Sequence, residues 1–148
     1  MTHWADELHT VFLQVSGYIN RPDIDVAFLR RADVKLDRAL FPLLSRIGLS
    51  APVGVVELGN LVGRDHSTIS RQVAKLEALG LIERYADPAD QRIRLLQPTA
   101  AGHKMLRQLR QARRNLMAEN FSDWSQADLD TLVTLLQRMS NRMHEMRS

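Results

Sequence analysis

The stretch RDHSTISRQVAKLEALGLIERYADPADQRIRL, residues 64–95, restricts the fold more than any other part of the chain. Asp65 is suited to cap a helix, the run from His66 to Leu79 is amphipathic, Gly80 is a stop, and two short runs of mixed apolar and basic residues follow. Stepping about 100° per residue gathers Ile69, Val73 and Leu76 within roughly 60° of one another. Ser67, Thr68, Arg71, Gln72 and Lys75 spread over roughly 140° on the other side. The first face reads as core. The second has no acid, and every side chain on it carries a hydrogen-bond donor. Arginine can donate to guanine O6 and N7 together, glutamine can bracket adenine, and serine, threonine and lysine can reach phosphates or bases. Such a face suits a DNA major groove. The alternative is a solvated surface helix, although those usually mix charge signs.

The residues before it, ELGNLVGRD from Glu57 to Asp65, supply a short helix and a glycine turn, which makes the whole a helix-turn-helix pattern. After Gly80, Leu81–Tyr85 and Arg92–Leu96 are expected to pair as strands, with turn chemistry at Asp87-Pro88. Arg92 and Arg94 then alternate with Ile93 and Leu95, so the hairpin can place an arginine at a minor groove beside the helix. Bulk charge contributes little. Arg64, Arg71, Lys75, Arg84, Arg92 and Arg94 face five acids in the same stretch, so placement rather than net charge must carry any binding.

Elsewhere the periodicity predicts a helix over Trp4–Ile19, a second over Val34–Arg46 with Pro42 as a kink or break and Gly48 as its stop, and a short one over Ala51–Val62. Two long helices finish the chain, one from Thr99 to Asn120 and one opening at the capping box Ser125–Asp128. The first helix carries Leu8, Val11, Phe12 and Val15 on one side, and the last carries Leu129, Leu132, Leu136, Met139 and Met143. Little of so short a chain remains to cover that last stripe, which favours a partner helix over the chain's own first helix. The basic run from His103 to Arg114 reads as a solvated face, with the DNA backbone or acids of a partner subunit as alternatives.

Composition limits the remaining possibilities. At 148 residues, with 45% hydrophobic and 25% charged residues and a net charge of +3, one globular domain is the default. Cysteine is absent, which removes disulfides, thiolate metal sites and cysteine nucleophiles. The five histidines lack metal-site spacing, and no nucleophile motif or phosphate loop is present, so neither catalysis nor a cofactor or metal is expected. No secretory signal or membrane span is legible, and a cytoplasmic protein is expected.

The run ELGNLVGRDHSTISRQVAKLEALGLIERYADPADQRIRLLQPTAAG resembles the winged helix-turn-helix core of the MarR (multiple antibiotic resistance regulator) family. Its most specific pieces are the LxxLGLIER run, Leu76–Arg84, and Asp90-Gln-Arg92 at the family's D-x-R wing motif. The resemblance implies a mainly α fold with a small β-wing, in a single domain over 1–148. A DNA-binding lobe would span about 34–97, with dimerisation helices over about 4–19 and 99–146. It implies a homodimeric regulator of double-stranded DNA, often a repressor, on a pseudo-palindromic operator, released by a small aromatic or phenolic effector. Carried over by position, Arg71 falls where a base-contacting arginine sits, Arg92 at the wing tip, and Asp90 where an acid holds the wing in shape. Gly59 stands where alanine is typical, Arg64 where the family is usually apolar, and Pro98 where leucine is usual. A winged helix serving only protein interaction is the competing function.

Overall fold

The computed structural model describes residues 1–147 and divides into two compact units, Met1–Arg113 and the chain from Arg114 onward. In the first unit, α1 (Trp4–Ile19) has the bounds its periodicity predicts, and none of its residues is buried. Trp4 is 69% and Ile19 61% exposed.

The next segment departs from expectation. The first helix ends before Asn20-Arg21-Pro22 as expected, but Pro22 then opens a helix that was not expected, α2 (Pro22–Arg31), at the first-turn position where a missing N–H costs nothing. Of the expected helix over Val34–Arg46, only the part from Phe41 forms. Asp33 adopts a positive φ of 54° and lets Val34 N–H reach the Leu29 carbonyl at 3.0 Å, which closes α2. Asp37 then accepts from Ala39 N–H at 2.7 Å and holds a turn. The helix starts only at α3 (Phe41–Ser50), with Pro42 in its first turn. Gly48 lies inside α3 rather than stopping it. A Cβ there would stand 2.8 Å from Leu106 Cδ1, so its bareness permits a close packing contact.

Strand β1 (Val53–Gly54) was not legible in the sequence and shortens the expected Ala51–Val62 helix to α4 (Val55–Val62). Gly63, at φ 68°, ends α4 and sends its N–H back to the Gly59 carbonyl at 2.9 Å. Then α5 (His66–Ala78) begins, capped by Asp65. Strands β2 (Ile82–Ala86) and β3 (Arg94–Pro98) pair antiparallel from Ile82 opposite Pro98 to Ala86 opposite Arg94. β3 also pairs with β1, which gives the sheet order β1-β3-β2. The second strand thus starts two residues later than expected, leaving Arg92 in the connecting turn and only Arg94 on the strand.

Leu43, Leu44 and Ile47 of α3, Leu58 of α4, Ile69, Val73 and Leu76 of α5, and Val53, Ile82 and Leu96 of the sheet form one buried cluster. Removal of so much apolar surface from water fixes α5 against the sheet by a single face. A smaller cluster joins Leu29, Ala32 and Val34 to Leu109 and Ala112 of α6 (Ala100–Asn120). Thr99 receives the Gly102 N–H on its hydroxyl at 3.1 Å, and that hydroxyl donates to the Gly80 carbonyl, tying the start of α6 to the turn that follows α5. In the second unit, α7 (Gln126–Glu145) is capped by Ser125, which accepts from Asp128 N–H at 3.1 Å. None of its residues is buried, and Val133 is 66% exposed.

Candidate nucleic-acid interface

Asp65 sets the start of α5. Its carboxylate accepts from Thr68 N–H at 3.2 Å, from Thr68 Oγ1 at 2.6 Å and from the Ser67 hydroxyl. Donation by Ser67, then Thr68, to the ionised form holds the Asp65 carboxyl down at about 2. The two hydroxyl hydrogens are therefore already committed. Ser67 and Thr68 keep only acceptor lone pairs, the chemistry that cytosine N4 or adenine N6 would meet, which is narrower than their residue types suggest.

Gln72 is half-buried, and its Oε1 accepts from Nη1 of Arg64 at 2.7 Å. The side chains of Arg71 and Lys75 are exposed and form no hydrogen bond or ion pair with any described residue. Because Ile69, Val73 and Leu76 are buried on the other side of α5, those two cations are held outward by the core itself.

The wing differs in character. Its turn is closed by Asp87 N–H to the Ile93 carbonyl at 2.9 Å. Asp90 accepts from the Arg92 backbone N–H at 3.1 Å and from its Nε and Nη2 at 3.0 Å. The guanidinium beside Asp90 holds that carboxyl below the usual range and raises Arg92 above its own. Arg92 still stands 90% exposed at the tip. Arg94 is exposed on β3 without a described partner, and Arg84 of β2 donates Nε to both oxygens of Glu77 at 3.2 Å, linking the strand to the end of α5. A cavity of about 680 Å³ opens between the wing and α5, lined among others by His66, Ser70, Arg84, Arg92 and Arg94.

The fold thus gathers Ser67, Thr68, Arg71, Gln72 and Lys75 on one helix, and Asp90, Arg92 and Arg94 on the adjoining hairpin. Leu8, Val11, Phe12 and Val15 lie along α1, exposed in the isolated chain. Leu132, Leu136 and Met143 are exposed along α7, with Leu129 and Met139 half-buried. Arg64 is the residue that sequence reasoning left out of the site. Its signal was an arginine at a position usually apolar, one residue before the helix cap. No helix is long and apolar enough to cross a membrane, and no group of metal-ligating side chains occurs among the described residues.

Comparison with known proteins places this geometry. A family model described as the MarR family matches residues 36–93. The HTH-type transcriptional regulator YxaD of Bacillus subtilis (strain 168) is 36% identical over 131 residues, covering 88% of this chain and 87% of YxaD. Among solved structures, wild-type MarR from E. coli superposes with a TM-score of 0.66 at 24% identity, over 94% of this chain and 97% of that one. A MarR protein from Peptoclostridium difficile gives 0.71 at 22% identity, over 90% of this chain and 88% of the other. The mainly helical body with its three-stranded sheet is the winged helix fold of those structures.

Proposed function

Because the chain belongs to the MarR family of transcriptional regulators, we propose that it is a homodimeric repressor of a pseudo-palindromic operator, released by a small aromatic or phenolic effector. One domain spans the chain, with a DNA-binding lobe over about 34–97 and dimerisation helices over about 4–19 and 99–146. In each protomer α5 enters the major groove. Arg71 reads a base edge there, Lys75 meets a phosphate or base, and Ser67, Thr68 and Gln72 add polar contacts. Arg92 and Arg94 lie along the backbone or in the adjacent minor groove, while Asp90 keeps the wing turn in shape. The observation that carries this reading is the exposed face of α5, where Arg71 and Lys75 stand without partners on a helix whose opposite face is core.

Dimerisation through α1 and α7 is supported by the apolar side chains that both helices leave exposed in the single chain. The reading is tested with DNA flanking the protein's own gene, searched for an inverted repeat. Titration of that duplex by fluorescence anisotropy is expected to show saturable binding that scrambling the repeat abolishes. Aromatic acids or phenols are expected to release the bound duplex. Equal affinity for operator and scrambled DNA at low salt would instead favour a protein-interaction module.

A further inference from the structure

Arg64 lies in the turn between α4 and α5, half-buried, and its Nη1 donates to Gln72 Oε1 at 2.7 Å, with the Ala39 carbonyl at 3.5 Å. A guanidinium has donors and no acceptor, so only the oxygen of the Gln72 carboxamide can face it. The two ends of that amide are thereby distinguished before any ligand arrives. Nε2 is turned away from Arg64 and makes no hydrogen bond with a described residue. A glutamine that reads adenine must accept from N6 with its oxygen while donating to N7 with its nitrogen. Here the oxygen is held by a short, charge-assisted bond from the protein side.

We infer that Arg64 is a positioning residue that holds the Gln72 amide with Oε1 on the protein side and Nε2 leading; Oε1 keeps a second lone pair, but the leading donor favours a base offering an acceptor, guanine or thymine, over adenine. This rests on the proposed seating of α5 in the major groove. It gives a role to an arginine at a position where the resemblance leads one to expect an apolar side chain, and it places a specificity determinant outside the recognition helix.

The test starts from a duplex selected by the wild-type protein out of random DNA, with all four bases then placed at each half-site position. The position whose preference flattens in Gln72→Ala is the one Gln72 meets. Wild type is expected to favour guanine or thymine there. Arg64→Met, which keeps the aliphatic stem and loses the donor, is expected to shift preference toward adenine by roughly fivefold or more at that position alone. Arg64→Lys, whose ammonium can still donate to the amide oxygen, is expected to restore the wild-type preference. Gln72→Glu provides an independent arm, because a carboxylate paired with Arg64 offers no donor and should abolish the preference for guanine or thymine.

An unchanged preference in Arg64→Met, a wild-type preference for adenine, or persistence of the guanine or thymine preference in Gln72→Glu overturns the inference. So does a uniform loss of affinity with a shallower salt dependence in Arg64→Met, which would make Arg64 a phosphate contact. Absence of any sequence preference in the wild-type protein overturns the major-groove reading itself, and the inference falls with it.

Discussion

Arg71 projects from α5 with no partner, whereas Arg92 is gripped by Asp90 through its backbone N–H, Nε and Nη2. The two arginines should fail differently. Arg71→Ala is expected to cost about 1–3 kcal/mol on the preferred operator and to relax discrimination at one base pair of each half-site. Arg92→Ala is expected to weaken many sequences alike and to reduce the salt slope by about 0.9 per subunit. Affinities for single-base operator variants at several salt concentrations separate these outcomes. Asp65 adds a pH signature. Its folded pKa of about 2 lies below the ordinary 3.8, so the stability it lends is complete above about 4 and is lost as pH falls toward about 2. Asp65→Asn should remove that part of the acid destabilisation while keeping a capping oxygen. Melting curves between pH 2 and 5 check it. The residue types on this face were legible from spacing alone, but their hydrogen-bond roles were not. Whether Ser67 donates outward or to Asp65, and which end of the Gln72 amide is held by the protein, depends on Asp65 and Arg64, and their reach is set only once the turn at Gly63 has folded.

Glycines show at the element scale where packing overrides propensity. A Cβ at Gly59 in α4 would meet the Arg64 carbonyl oxygen at 3.6 Å and Ile69 Cγ1 at 3.7 Å, which is ordinary contact. Gly59→Ala is therefore expected to stabilise the protein by about 0.5–1 kcal/mol. At Gly102 a Cβ would fall 2.0 Å from the Leu81 carbonyl oxygen, the same oxygen that accepts from Thr99 N–H. Gly102→Ala should push the first turn of α6 off the wing and cost about 3 kcal/mol. Urea unfolding of both variants checks the opposite signs. Elements with one strong signal were readable: α1 from its period, α5 from its cap and two faces, α7 from Ser125. The segment from Pro22 to Arg46 was not. Leu36, Leu40, Leu43 and Leu44 fall at helical spacing although the first two belong to an irregular stretch held by Asp33 and Asp37, and each proline marks a helix start rather than an end. Strand β1, only Val53–Gly54, has no period to detect and exists because β3 offers it an edge.

For the whole molecule, apolar side chains left exposed along α1 and α7 in a chain of 148 residues are the basis for expecting a dimer. Sedimentation at micromolar concentration should give twice the 16.9 kDa chain mass. A chain ending at Ser125 lacks α7 and should sediment as a monomer. It should also lose most of its operator affinity, because two half-sites one helical turn apart reward only tethered recognition helices. The central claim, sequence-specific reading of DNA by paired α5 helices, is tested most directly by selecting bound duplexes from a random pool with the full-length protein. The account predicts enrichment of an inverted repeat whose half-site centres lie about 10 base pairs apart, or a multiple of that. Recovery of no common sequence at low salt, or of one lacking two-fold symmetry, would contradict it.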